Sequence, residues 1–106
     1  MKILFICNQN ENRSKTAEKL FKKLHKTKSA GLYNEKPVTK TQLEWADLIV
    51  VMEDEQRSEI AKRFSDQYAK KQILSFEIAD LYHYNQPELI DTLKTKFNGL
   101  KSLAIL

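Results

Sequence analysis

Two rhythms of apolar and polar positions run along the 106 residues. Ile3-Leu4-Phe5-Ile6 is an unbroken apolar run, and residues 48–52 form another. Runs that are apolar on both faces suit strands inside a parallel sheet, so strands are predicted over 2–6 and 48–52. Between them Ala17, Leu20, Phe21 and Leu24 recur at i, i+3, i+4 and i+7, which predicts a helix over 14–26. A short strand and turn is expected over 29–33. Thr41 and Glu44 have capping-box spacing, which predicts a brief helix over 41–46. Glu53, Asp54 and Glu55 open the next helix, since acidic residues favour the positive end of the dipole. Its inner face is read as Ile60, Ala61, Phe64 and Tyr68. Over 73–78, Leu74, Phe76 and Ile78 alternate with Ser75 and Glu77, as in an edge strand. Pro87 marks the start of a last helix, with Leu89, Ile90, Leu93, Phe97 and Leu100 as its stripe.

Strands alternating with helices imply right-handed crossovers. The predicted class is α/β with three layers: a four-stranded parallel sheet, helices on both faces and an anion-binding loop after the first strand. Ligands of such sheets sit beyond the carboxyl ends of the strands, at the switch point. Cys7 ends the first strand and Asp80 lies just past the fourth, so both are expected at one crevice.

Composition narrows the class further. The length fits a single domain, 1–106, with one core. At 42% apolar and 30% charged residues, the chain reads as a soluble globular protein. A single cysteine excludes an internal disulfide and fits a reducing, cytoplasmic compartment. The apolar N-terminal run is too short for a membrane span, so no membrane partner is expected. The net charge of +4 favours anionic ligands. Lys15, Lys19, Lys22, Lys23 and Lys26 are read as a solvated face rather than a nucleic-acid surface. His25 is expected to be exposed, and Trp45 to pack against the first helix or the sheet. The acidic cluster at 53–55 is read as helix capping, with no metal or cofactor expected.

The candidate chemistry lies in Cys7-Asn8-Gln9-Asn10-Glu11-Asn12-Arg13-Ser14, where a strand runs through a polar loop into a helix. The first amides of a helix are unpaired and point outward, and with the dipole they make an anion site. A loop wrapped around one point aims the amides of Asn8, Gln9, Asn10, Glu11 and Asn12 inward as a nest. Arg13 adds a planar fork that matches phosphate oxygens. A thiolate is the nucleophilic form of cysteine, and such a positive field favours it. Cys7 facing a bound phosphoryl group is then in line for attack, with phosphocysteine as the intermediate. Cys, five residues, Arg and then Ser or Thr arises at random for roughly one cysteine in a hundred, which makes this loop the chain's most specific signal.

Those residues identify a likeness. The chain resembles the low-molecular-weight protein tyrosine phosphatases and looks like a shortened member. Cys7, Arg13 and Ser14 match that family's loop. Asn10 stands where the family has a bracing asparagine. Ser29-Ala30-Gly31 and the 46–52 segment resemble its second and third strands. Asp80-Leu81-Tyr82 stands in place of its Asp-Pro-Tyr. Departures are Gln9 for a glycine, Asn12 for a second cysteine, Leu81 for the proline, and shorter segments after Gly31 and Met52.

The resemblance implies a phosphomonoester hydrolase. Cys7 would attack phosphorus. Arg13 and the loop amides would hold the equatorial oxygens. Ser14 would donate to the departing sulfur, and Asp80 would act as general acid. Tyr82 and Tyr84 would border the substrate entrance. The expected partner is a phosphorylated substrate, either a phosphotyrosine protein or a small aryl or alkyl phosphate. Two other readings stay open: a phosphocarrier domain with a phosphorylatable cysteine, and a phosphate-binding module without turnover.

Overall fold

The structure, a computed structural model, describes residues 1–106. Its elements run in the order β1 (Lys2–Cys7), α1 (Arg13–Phe21), β2 (Lys26–Gly31), α2 (Lys40–Trp45), β3 (Leu48–Val51), α3 (Asp54–Arg63), α4 (Ser65–Lys70), β4 (Gln72–Ser75) and α5 (Pro87–Ser102). The four strands form one parallel sheet in the order β2-β1-β3-β4. The chain moves outward from β1 to β2, then crosses to the other side for β3. The switch point therefore falls at β1. Cys7 pairs with Gly31, Ile6 with Val51 and Val51 with Ser75, which aligns all four strand ends at one edge.

Each face of the sheet carries its own apolar layer. On one side Ile3, Phe5, Leu48 and Val50 pack with Ala17 and Phe21 of α1 and with Leu89, Leu93, Phe97 and Leu100 of α5. On the other, Leu4, Ile6, Ile49 and Val51 pack with Leu43 of α2 and Ile60 of α3. Successive strand side chains point to opposite faces, which is why a continuous apolar run is needed at the centre. Phe21 stacks on Phe97 with ring centroids 3.8 Å apart and so couples α1 to α5. Gly99 in α5 faces open space and is tolerated there.

Several element boundaries differ from the periodic reading. α1 ends at Phe21, not at 26. Lys26 pairs with Lys2 in the β1–β2 ladder and takes the chain out of the helix. Leu24, the fourth residue of the expected stripe, is consequently exposed. The cap of α2 is Thr39, which accepts from Gln42 N (3.2 Å) while Gln42 Oε1 accepts from Thr39 N (2.9 Å). The box thus lies two residues before the Thr41–Glu44 pair. The helix opened by Glu53 breaks at Phe64 (φ −138°, ψ 60°) into α3 and α4. Tyr68 is left exposed, and Gln67 takes the inward position, donating to Glu44 Oε1 (3.1 Å). β4 ends at Ser75 because Glu77 adopts a left-handed backbone (φ 51°), yet Phe76 and Ile78 remain buried.

Trp45 packs on the second layer, with Lys28 Nζ 4.4 Å from its ring centroid. His25 is half-buried rather than exposed, edge-on to Phe97. Burial chiefly, and then the charges of the N-terminus and Lys101, push its pKa down. No helix is long and apolar enough to cross a membrane.

Candidate active site

β1 delivers Cys7, nearly fully buried, to the sheet edge, and residues 8–12 loop from it into α1. Asn10 holds the loop's left-handed turn (φ 55°), a conformation asparagine tolerates better than most residues. Three side chains then form a line. Cys7 Sγ lies 2.9 Å from Ser14 Oγ, and Ser14 Oγ donates to Asn10 Oδ1 at 2.8 Å. Ser14 has no exposed surface, so its hydroxyl is committed to this line.

The loop is gripped from both sides. Leu32 N donates to the carbonyls of Cys7 (3.1 Å) and Asn8 (3.0 Å), and Tyr33 N donates to Asn8 O (2.9 Å). This close approach requires Gly31: a Cβ there would lie 3.0 Å from Asn8 O and 2.5 Å from Asn34 Oδ1. On the β3 side, the buried Gln56 donates to Asn8 Oδ1 (3.0 Å). Its Oε1 accepts from the amides of Met52 (2.8 Å) and Glu53 (3.0 Å).

Arg13 is only 1% exposed and is among the largest fully buried side chains. Its Nη1 donates to Ile78 O (2.8 Å) and pairs with Glu53 Oε1. A buried guanidinium needs such a partner, because an uncompensated buried charge is severely destabilising. With Nη1 fully used, Nε has no hydrogen-bond partner. The carboxylate nearest to it is Asp80, with Oδ1 at 3.7 Å. A small cleft of ≈ 40 Å³ is lined by Cys7, Gln9, Glu11, Asn12, Arg13 and Asp80. Cys7, Arg13 and Asp80 therefore line one space.

The remaining predicted residues divide. Asp80 is mostly exposed at its side chain (61%), and Leu81 beside it is also exposed. Tyr82 is half-buried against the first apolar layer. Tyr84 does not line the cleft; it lies against α1, with Lys19 Nζ 5.7 Å from its ring centroid. Asn8, Asn10 and Ser14 shape the loop from behind. Thr16 joins the two loops: its Oγ1 donates to Asn12 O (2.6 Å) and accepts from Asn85 N (2.8 Å).

Glu53 and Gln56 escaped the sequence reading, which assigned the acidic run to helix capping. Glu53 lies two residues past β3, at the same sheet edge that singled out Asp80. That position was the available signal. No group of three or more His, Cys, Asp or Glu side chains is placed to hold a metal ion.

The whole describes a parallel α/β domain with a cysteine at the base of its first loop and a carboxylate across a small cleft from it. No protein-family profile and no curated protein sequence matches the chain. Solved structures do. A mutant YwlE arginine phosphatase with a phosphorylated active-site serine superposes with a TM-score of 0.76 at 21% identity, over 95% of this chain and 96% of that one. The low-molecular-weight protein tyrosine phosphatase SP-PTP of Streptococcus pyogenes gives 0.75 at 19%, over 96% and 92%. The tyrosine phosphatase Wzb of Escherichia coli K30, in complex with phosphate, gives 0.74 at 20%, over 92% and 94%. The chain has the fold of the low-molecular-weight protein tyrosine phosphatases, nearly end to end.

Proposed function

We propose that this protein is a cysteine-dependent phosphomonoester hydrolase of the protein tyrosine phosphatase type, working through phosphocysteine. One observation carries the reading: Cys7, Arg13 and Asp80 line a single cleft, and the Nε of buried Arg13 lacks a hydrogen-bond partner. A buried N–H without a partner costs about 1–3 kcal/mol. A phosphoryl oxygen supplies the missing acceptor. Glu53 and Ile78 O hold the other side of the guanidinium, so its orientation is set before the ligand arrives. Preorganised donors of this kind stabilise transition-state charge without reorganising.

The proposed steps use these three groups. The Cys7 sulfur, attacking as the thiolate, forms a bond to phosphorus while the bond from phosphorus to the leaving oxygen breaks. Asp80 gives that oxygen its proton. Water then attacks phosphorus, returns a proton to Asp80 and displaces the sulfur. Ser14 has one proton to give. In the structure it goes to Asn10, and either atom of the Cys7–Ser14 contact can be the donor. When sulfur bears negative charge, the hydroxyl turns its proton toward it, and Asn10 presents its amide N–H to Ser14 in exchange. The line of three thus stabilises the thiolate as it departs.

A second substrate class is favoured by charge. Glu11 and Asp80 both line the cleft, and Glu53 already neutralises Arg13. That acidic surround suits a phosphoryl group attached to a cationic leaving group, such as a phosphoguanidine, and the YwlE neighbour is an arginine phosphatase. Turnover of nitrophenyl phosphate, phosphotyrosine and phosphoarginine by wild type and Cys7→Ser tests both readings. Hydrolysis by wild type alone is expected. Equal activity in Cys7→Ser, or none in either protein, would reject the hydrolase.

A further inference from the structure

The positive charge of this protein is concentrated on one stretch, from α1 into β2. Residues 15–28 hold six lysines against one glutamate, a formal +5, whereas the whole chain carries +4. Everything else therefore sums to −1. Three of those lysines, Lys15, Lys19 and Lys22, line a groove of ≈ 460 Å³ together with Glu18, Thr27 and Tyr84. The four ion pairs of the molecule all use arginine, so none of these ammonium groups is paired with a carboxylate. Glu18, the one acid in the groove, is already engaged as the acceptor for Ser29 Oγ (2.6 Å). The groove thus presents cations with free valence.

Its position ties it to the cleft. Lys15 directly follows Ser14 of the loop. Tyr84 belongs to the segment that carries Asp80, and Asn85 N is fastened to Thr16 of α1. Lys15 to Lys22 covers two helical turns, about 10 Å along the axis. An extended peptide crosses that span with roughly three residues. We propose that this lysine groove docks an acidic segment of a phosphorylated partner protein, flanking the phosphorylated residue held in the Cys7 cleft. The carboxylates Glu11 and Asp80 act on the atoms next to phosphorus. The lysines act several residues away. Complementary charge of this kind raises the encounter rate and sets which partners are accepted.

The inference rests on the hydrolase reading, and its test separates the two. Phosphotyrosine peptides with glutamates on one flank, on the other, or with serines on both are measured as inhibitors of nitrophenyl phosphate turnover. The proteins compared are wild type and Lys19→Ala/Lys22→Ala. These exposed lysines lie outside the cleft, so nitrophenyl phosphate hydrolysis alone should be unchanged. Each exposed charge pair contributes a factor of roughly two to five. The better acidic peptide should therefore inhibit wild type about tenfold more tightly than the serine peptide. That advantage should vanish in the double variant and at high salt. Equal inhibition by all peptides, or an acidic preference that survives the double variant, would overturn the docking groove while turnover still upholds the hydrolase. Oligothymidylate or anionic phosphatidylserine vesicles binding at the groove in place of acidic peptide would overturn it equally. Absence of nitrophenyl phosphate turnover in wild type would remove the hydrolase reading, and the groove's role with it.

Discussion

Two loops meet at the cleft, and they are held very differently. The loop at 7–14 is fastened at nearly every residue: Asn8 by Gln56, Leu32 and Tyr33, Asn10 by Ser14, Asn12 by Thr16, and Arg13 by Glu53 and Ile78. The segment that carries Asp80 has few such ties. Leu81 N turns back to Ala79 O (2.9 Å), His83 N reaches Gln86 Oε1 (2.9 Å), and Asn85 N reaches Thr16. Asp80 itself makes one long contact, to Arg13 Nε. The contrast matches the division of labour in the proposed hydrolysis. Holding a phosphoryl group demands fixed donors at the developing charge. Protonating a leaving group demands only that an acid come within reach, and leaving groups differ in size and position.

The contrast predicts that the two loops fail in different ways. The largest effect should come from Arg13→Lys, which keeps the charge but loses the fork. Losing one transition-state donor costs ~3–4 kcal/mol, so kcat/KM should fall by at least about a hundredfold. The fall should be equal for every leaving group, since the proposed role of Arg13 is to hold the phosphoryl oxygens and not the leaving group. Steady-state kinetics on nitrophenyl phosphate and phosphotyrosine check this; near-normal activity on either would mean that charge suffices.

Asp80→Asn should be selective instead. Tyrosine phenolate, with a pKa near 10, leaves poorly without a proton, and general acids contribute about a hundredfold or more. Phosphotyrosine cleavage should drop by about that factor, and nitrophenyl phosphate cleavage by only a few-fold. Single-turnover rates across a series of aryl phosphates should show a steeper dependence on leaving-group acidity. An unchanged slope would remove Asp80 as the acid.

Thr16→Val sharpens the comparison by cutting the link between the loops. It removes the acceptor for Asn85 N and the donor to Asn12 O. A stability loss of about 1–3 kcal/mol is expected from the unpaired groups, read from urea unfolding. Because the 7–14 loop keeps its other ties, phosphotyrosine turnover should suffer more than nitrophenyl phosphate turnover. An equal loss on both would mean that Thr16 supports only the phosphate loop.

The smallest effect concerns His25, remote from both loops. Its pKa is lowered from 6.5 in the folded chain, so the unfolded chain binds the proton first as pH falls. Stability should therefore decline below about pH 6.5 and recover above it. His25→Asn should remove that component of the pH dependence of thermal unfolding. Stability rising on acidification through that window would contradict the sign.

The same contrast decides what could be read from sequence. The 7–14 loop is written in consecutive residues, and the apolar run before it and the helical spacing after it fix its setting. Asp80 followed from its place at a strand end. Glu53 carries the same strand-end signal, but it and Gln56 also serve as ordinary helix-opening residues, and that local pattern accounts for them without a site. Their role depends on β3 lying beside β1, a contact forty residues apart in sequence for Arg13 and Glu53. The end of α1 was misplaced for a similar reason: the stripe continues through Leu24, but pairing of Lys26 with Lys2 overrides it. The break at Phe64 and the bend at Glu77 lie in segments whose apolar periodicity runs straight through them.

The central claim is that phosphorus passes through the sulfur of Cys7. Wild-type protein mixed with excess nitrophenyl phosphate and quenched in acid within the first turnover should yield, by peptide mass spectrometry, a single phosphorylated peptide with the phosphoryl group on Cys7. It should form during a burst of nitrophenolate and disappear once substrate is exhausted. Phosphate on another residue, turnover with no phosphoprotein at any time, or a phosphocysteine that persists without hydrolysis would contradict the account.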